Sequence, residues 1–361
     1  MKPIPLTGRL PPQSVPSSGS PVDILALLGG QSGERPRDEA FEFELLNRWQ
    51  RDLPLDAEPF TRIAEAYGRS TREVLNAFRR LQREGSLARI GPVLTPAAFG
   101  ASTLCAISVA PERVESVAGY ISLMPEVNHN YARDHEYNLW FVLTAAERRQ
   151  IGAALQRIEE ATGSVPLDLP MLEGYHLDRG FDLRGPESRA SRSVDLDRAR
   201  VSLDSRQWRL VGALEQGLPL VPRPFARIGM RADMHELEVI EQLRHWLEIG
   251  AIRRIGVVMH HHEPGMRANA MCVWDVPDAQ AAGIGHRIAE LPGINRCYRR
   301  ARVSDRWPYN LYCMIHGRER DAVQAIRERV IAEAGLAAAP SAVLFSTRRY
   351  KQHGARYAEA R

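Results

Sequence analysis

This chain contains itself twice, and no other feature limits its possible folds as much. Leu53-Pro54-Leu55 followed by Pro59-Phe60-Thr61-Arg62-Ile63 recurs as Leu218-Pro219-Leu220 followed by Pro224-Phe225-Ala226-Arg227-Ile228. Arg83-Glu84-Gly85-Ser86-Leu87-Ala88-Arg89-Ile90-Gly91 recurs as Glu248-Ile249-Gly250-Ala251-Ile252-Arg253-Arg254-Ile255-Gly256. The pairs Leu53/Leu218, Gly85/Gly250, Ile90/Ile255 and Gly100/Gly265 all keep one spacing, so the match is a duplication and not a composition bias. The two homologous halves run over 41–184 and 206–361, and the fold must be one that two like units can build together.

Within each half, helical signals come first. Phe43, Leu46 and Trp49 begin an apolar stripe, and Phe60–Tyr67 reads as a second, short helix. Ser70-x-x-Glu73 is a capping box opening a third, with Val74, Leu75, Phe78 and Leu81 at helical spacing. Gly85 ends that helix and Leu87–Leu94 follows as a strand, which together make a winged helix-turn-helix. The second half repeats the pattern, with Ile240, Leu243 and Trp246 ahead of Gly250. Beyond the wing, strands are expected at 104–109, 127–133, 137–144 and 170–177, with helices at 112–123 and 146–160. The second half offers 270–276, 278–290, 294–300, 309–316, 318–334 and 342–350 in the same βαββαβ order. The fold class is therefore α+β: a tandem of winged helix plus ferredoxin-like units, the two sheets packed as in a homodimer of the simpler unit. One sheet face carries helices, and the other is expected to be free for a partner or ligand.

The domain plan is a disordered tail at 1–40, rich in Pro, Ser and Gly; winged helix 41–98; ferredoxin-like domain 99–184; linker 185–205; winged helix 206–262; ferredoxin-like domain 263–361. A net charge of +4, its excess mostly Arg, suits an anionic ligand without demanding one. The four cysteines show no C-x-x-C spacing, which argues against a zinc site or a disulfide framework. With no spanning apolar run and no signal-peptide pattern, a cytoplasmic, reduced protein is expected.

The chemistry concentrates in His129-Asn130-Tyr131-Ala132-Arg133-Asp134-His135-Glu136-Tyr137-Asn138-Leu139-Trp140-Phe141. If 127–133 is extended, Val127, His129, Tyr131 and Arg133 share one face, and imidazole, phenol and guanidinium there suit an acidic ligand better than a core. The second half answers with Arg296-Cys297-Tyr298-x-Arg300, then Trp307-Pro308-Tyr309-Asn310-Leu311-Tyr312.

Winged helix plus βαββαβ resembles the feast/famine (Lrp/AsnC) regulators. The fused pair, with the two motifs just quoted, more narrowly resembles the sirohaem decarboxylases of the NirD/NirL and AhbA/AhbB types in a NirDL arrangement. Further matching stretches are Gly217-Leu218-Pro219-Leu220, Arg267-Ala268-Asn269-Ala270-Met271 with Trp274-Asp275-Val276-Pro277, Met314-Ile315-His316-Gly317 and Leu169-Pro170-Met171-Leu172-Glu173. The resemblance implies loss of carbon dioxide from the C12 and C18 acetates of sirohaem, giving 12,18-didecarboxysirohaem on the route to haem d1. It implies no separate cofactor and no protein metal site, since sirohaem is the substrate and brings its own iron. NirG/NirH-like partners and a homo-oligomer are further expectations; membrane and DNA are not.

His129 is the candidate acid, or the group that orients the acetate; a structural histidine is the alternative reading. Arg296 stands opposite it in the repeat, where relatives of the second-half type carry His, and a guanidinium holds carboxylates but is a poor acid. Tyr131, Arg133, His135, Tyr298, Arg300 and Tyr309 are the candidate substrate-binding residues, Arg133 and Arg300 as carboxylate forks. His316, the trio His260-His261-His262 and Arg348-Arg349-Tyr350-Lys351 also draw attention; the trio lacks complementary ligand spacing. Two rivals stand beside the enzyme: a DNA-binding regulator, weakened by the glutamates Glu73, Glu84, Glu236, Glu238, Glu241 and Glu248 in the candidate recognition helices, and a tetrapyrrole-binding sensor.

Overall fold

The computed structural model describes residues 37–177, 201–259 and 268–357. The expected tail up to residue 36, the linker up to residue 200 and the trio His260-His261-His262 lie outside the described residues. The first helix starts earlier than expected: α1 covers Arg37–Arg48. It is followed by α2 (Pro59–Ala66), α3 (Thr71–Arg83), β1 (Leu87–Leu94) and the short α4 (Pro96–Phe99). The capping box is present as read, Ser70 Oγ accepting from Glu73 N–H while the Glu73 carboxylate accepts from Ser70 N–H. The second head is α7 (Ser205–Glu215), α8 (Pro224–Ala232), α9 (Glu236–Glu248) and β6 (Ile252–Met259); the numbers α5 and α6 belong to the first ferredoxin-like unit.

The wings are not separate hairpins. β1 pairs antiparallel with β6, so each half lends its one strand to the other, and Phe60, Phe78, Phe225 and Trp246 share a single core. The third helices are committed to the same union. Arg79 of α3 donates to Leu220 O (2.7 Å) and Arg244 of α9 to Leu55 O (2.6 Å), each closing on the Leu-Pro-Leu turn of the other half. Those arginines are the helix-face cations that a regulator would turn towards phosphates.

The first ferredoxin-like unit is β2 (Ala101–Ile107), α5 (Val114–Leu123), β3 (Val127–Arg133), β4 (Leu139–Ala145), α6 (Arg148–Thr162) and β5 (Leu167–Leu177). The second is β7 (Ala268–Trp274), α10 (Asp278–Glu290), β8 (Ile294–Arg300), β9 (Leu311–Gly317), α11 (Arg320–Ala334) and β10 (Ser341–Gln352). The last strand of each unit changes sheets partway. Leu167–Pro170 pairs with β2 of its own half, and Met171–Leu177 pairs with β8 of the other. Ser341–Phe345 pairs with β7, and Ser346–Gln352 with β3. These crossings close an eight-stranded barrel in the order β10-β3-β4-β2-β5-β8-β9-β7. The face expected to be free is therefore covered by the other sheet: Leu104, Trp140, Leu169, Met271, Tyr298, Trp307, Tyr312 and Leu344 form a core inside the barrel.

The Tyr-Asn-Leu motif is an anchor for this arrangement. Asn138 Nδ2 donates to Val109 O (2.7 Å) and its Oδ1 accepts from Val109 N–H (3.0 Å); Asn310 makes the same pair with Val276 (3.0 and 3.1 Å). Asn310 is buried, and so is Val276. Replacing it by Ala leaves the buried Val276 N–H without its partner, at a cost of about 1–3 kcal/mol, while Val276 O keeps the Arg302 guanidinium (2.6 Å). Asn310→Ala is expected to lower unfolding stability in urea by about 1–3 kcal/mol; a loss below about 0.5 kcal/mol would mean that water replaces the amide.

Candidate functional site

All neighbours in the barrel are antiparallel, so β3 and β8, four places apart, run in the same direction on opposite walls. The pseudo-twofold axis thus lies along the barrel, and His129 and Arg296 start their strands at the same end. A bulge between Val127 and His129 sets the faces. Val127 belongs to the helix-side core and does not share the face of His129, Tyr131 and Arg133, contrary to simple alternation. Asn130 also faces the helices, donating to Ala118 O (3.0 Å). The second half has the matching bulge between Ile294 and Arg296: Ile294 and Cys297 lie in the helix-side core, and Tyr298 points inward.

At this shared end the two walls are chemically alike but rearranged. On the first wall, half-buried His129 stacks on Tyr131 with ring centres 6.1 Å apart. β10 sets Arg349 opposite Tyr131 and Gln352 opposite His129, and Arg349 donates to Gln352 (3.1 Å). On the second wall, Arg296 is exposed, and His316 follows the inward positions Tyr312 and Met314 along β9. His316 Nε2 lies 3.0 Å from Asn269 Nδ2. Each wall therefore offers one imidazole and one guanidinium: His129 with Arg349, His316 with Arg296. Burial raises the pKa of Tyr131, against the opposing pull of Arg133, Arg296 and Arg349, so its phenol stays a donor at neutral pH.

Arg133 and Arg300 are placed differently from the expected forks. Arg133 is buried, with its guanidinium donating to Leu344 O (2.9 Å), and Arg300 donates to Leu169 O (2.7 Å). Both carbonyls lie just before the point where β10 or β5 leaves one sheet for the other, so the arginines pin the crossings. Arg300 also lies over Tyr298 (4.6 Å), which stacks on Tyr312 (5.6 Å). Burial lowers the Arg133 pKa to about 10, which leaves it charged at neutral pH.

His135 and Tyr309 belong to the other end of the barrel, roughly 20 Å along the strand direction from His129 at about 3.3 Å per residue. There His135 does sit in the bend between β3 and β4, but half-buried, between the exposed Asp134 and Glu136. Its ring lies 5.5 Å from Trp307, which also meets Tyr137 (5.7 Å), Trp140 (5.1 Å) and Tyr309 (4.9 Å). Trp307 comes from the longer β8–β9 connection and closes this end, its Nε1–H donating to Tyr312 Oη (2.7 Å). The charges beside it are paired with one another, Arg302 being held by Asp275 (2.8 Å) and Asp278 (2.7 Å) and Arg320 by Asp134 (3.0 Å). An acid-fringed ligand is better served at the His129 end. Among the described residues no group of three or more His, Cys, Asp or Glu is arranged to hold a metal ion, and no helix is long and apolar enough to cross a membrane.

Sequence reasoning left Arg349 and His316 out of the site proper. The signal was in view, since both had been noticed, but only the strand crossing brings Arg349 of the second half beside Tyr131 of the first.

Doubled helical heads on a barrel of two interlocked βαββαβ units define the class: a tandem AsnC-type ligand-binding protein. The AsnC-like ligand binding domain matches residues 97–175 and 263–351, and the Siroheme decarboxylase NirDL-like HTH domain matches 42–87 and 208–253. The siroheme decarboxylase NirDL subunit of Paracoccus denitrificans is 39% identical over 320 residues, covering 88% of this chain and 97% of that protein. The NirD subunit of Stutzerimonas stutzeri is 51% identical over 148 residues, 41% of this chain and 97% of its own length. A crystal structure of the siroheme decarboxylase NirDL in complex with an iron-uroporphyrin III analogue superposes with TM-score 0.68 at 29% identity, covering 88% of this chain and 94% of that one. The chain belongs to the NirDL sirohaem decarboxylase family.

Two outcomes follow from the geometry. Arg133→Ala is expected to destabilise the fold by about 2–4 kcal/mol in urea unfolding, since Leu344 O and the crossing lose a charged donor; weakened ligand retention at unchanged stability would return Arg133 to the substrate. Burial holds the His135 pKa below 6.5. The unfolded chain then takes up the proton first, so this residue's contribution to stability is present above pH 6.5 and is lost as the pH falls through the folded value. A proton NMR titration should place His135 below 6.5 and move it upward in Trp307→Ala; no movement would show that Trp307 is not what desolvates it.

Proposed function

We propose that the chain is a sirohaem decarboxylase, removing carbon dioxide from the C12 and C18 acetates to give 12,18-didecarboxysirohaem, and that the reaction occurs at the His129–Arg296 end of the barrel. The observation that carries this is the pairing of an imidazole and a guanidinium on each of two facing walls. Arg296 and Arg349 are suited to paired hydrogen bonds with carboxylates, and Tyr131 donates between them. In each step the bond from the acetate methylene to its carboxylate breaks, carbon dioxide leaves, and the electron pair stays on the methylene carbon and the conjugated ring. A proton delivered to that carbon completes the methyl group. His129 is the acid for one wall, and His316 is placed to do for the other what Arg296 cannot. The balance requires no oxidant and no organic cofactor, and the iron arrives with the substrate.

The interior of the barrel is filled, so the macrocycle sits at the rim and not within. Assembly with NirG- or NirH-like proteins is part of the proposal too, because the NirD relative is a half-length chain and such units are built to pair. DNA reading is disfavoured, since the wings pair with each other and Arg79 and Arg244 hold the heads together.

Anaerobic incubation of the protein with sirohaem, followed by mass spectrometry, should show a product lighter by two molecules of carbon dioxide; unchanged sirohaem that stays bound would make the chain a sensor. His129→Ala should keep sirohaem binding and lower turnover by about 10²–10⁴-fold, the usual share of a positioned acid. Unaltered turnover would remove His129 from the chemistry.

A further inference from the structure

Two stretches far apart in the chain, Arg267-Ala268-Asn269-Ala270-Met271 and Met314-Ile315-His316-Gly317, meet in the sheet. β7 and β9 pair antiparallel with Asn269 directly opposite His316, a register that lets side chains on one face interact. Alternation places both on the inward face. Ala268 and Ala270 belong to the helix-side core, Met271 and Val273 to the core inside the barrel, and His316 follows Tyr312 and Met314.

The first half supplies a comparison at the same register. There Ser102 stands opposite Thr144, second in β2 and next to last in β4, as Asn269 and His316 are in β7 and β9. Thr144 is buried, accepts from Asn128 Nδ2 (3.1 Å) and donates to Ser102 Oγ (3.3 Å), so two short hydroxyls close this part of the first wall. The fold therefore does not require an amide and an imidazole here. Both positions differ together in the second half, and the difference brings Asn269 Nδ2 to 3.0 Å from His316 Nε2. Serine, one atom shorter, would end short of that nitrogen.

Nor does the fold gain a satisfied amide. Asn269 Oδ1 is buried with no hydrogen-bond partner among the described residues, an arrangement that folded proteins keep rare. The contact that the amide does make is with the ring. Either end can serve it, Nδ2–H donating to a bare Nε2 or Oδ1 accepting from Nε2–H, and each choice fixes where the ring carries its hydrogen. The amide does this without charge. A carboxylate in its place would favour the imidazolium and oppose release of its proton.

We propose that Asn269 is a positioning residue for the second wall. By holding Nε2 it keeps the His316 ring on the inward face at the rim and in a single tautomer, set to act as that wall's acid. This rests on the reading of His316 as an acid in the decarboxylation.

The test uses the full chain with isotope-labelled histidine and Asn269→Ser, which installs the residue that the first half already carries. Nitrogen NMR reads the ring, His316 being assigned by the signal lost in His316→Gln. Above the pKa of the ring, native His316 should show one protonated and one bare nitrogen, and Asn269→Ser the averaged shifts of a tautomer mixture. With sirohaem under anaerobic conditions, Asn269→Ser should lower kcat roughly tenfold or more and leave KM nearly unchanged. Averaged nitrogens in the native chain, a variant spectrum identical to the native one, or an unchanged kcat would each overturn the proposal. If the native chain releases no carbon dioxide, the acid reading of His316 fails, and the nitrogen shifts still decide whether Asn269 holds the ring. Should Asn269→Ser fail to fold, Asn269→Thr carries the same comparison.

Discussion

Everything in this molecule depends on two strands that do not stay in one sheet. β5 and β10 each give the first part of their backbone hydrogen bonds to their own half and the rest to the other. Backbone groups in a strand must be paired, so a strand shared in this way makes each half unable to satisfy its sheet edges alone. The exchange closes the barrel, removes the open edges that β3 and β8 would otherwise present, and brings the polar faces of those strands to a common end. Arg133 and Arg300 mark where the exchange happens, each giving a charged donor to a carbonyl at the crossing.

Duplication within one chain lets the two walls drift apart while the backbone stays symmetric. Arg296 stands where the first half has His129, yet β9 supplies His316 and β10 supplies Arg349, so each wall carries one imidazole and one guanidinium. The other end of the barrel has drifted further, the longer connection carrying Trp307 into an aromatic cluster that shuts it. Symmetry builds the scaffold, and its local failures are what distinguish one wall and one end from the other.

Much of this was legible in the sequence, and what was missed has physical causes. The repeat, the capping box at Ser70 and the βαββαβ order were all readable because they are local or periodic signals. α10 and β8 begin and end where expected, whereas α1 starts at Arg37 because apolar spacing does not mark a polar first turn. The inward face of the sheets was expected to be free, since alternation tells which residues share a face but not what covers it. Val127 was assigned to the wrong face because a bulge inserts a residue without leaving any local pattern. Arg133 and Arg300 looked like ligand forks because a guanidinium that pins a carbonyl and one that binds a carboxylate are the same letter. Arg349 could not be placed at all without the crossing, which is a contact between strands far apart in the chain. The likeness to the NirDL family was carried by long, unusual motifs, and it survived these corrections because it never rested on them.

The central claim is that the two halves build one shared site at one end of the barrel, and not one site each. The most direct measurement is the binding stoichiometry of sirohaem, by anaerobic spectroscopic titration of the full chain. One equivalent per chain is predicted, with substitutions at His129 and at Arg296 perturbing the same binding event. Two equivalents per chain, one sensitive only to each substitution, would contradict the account.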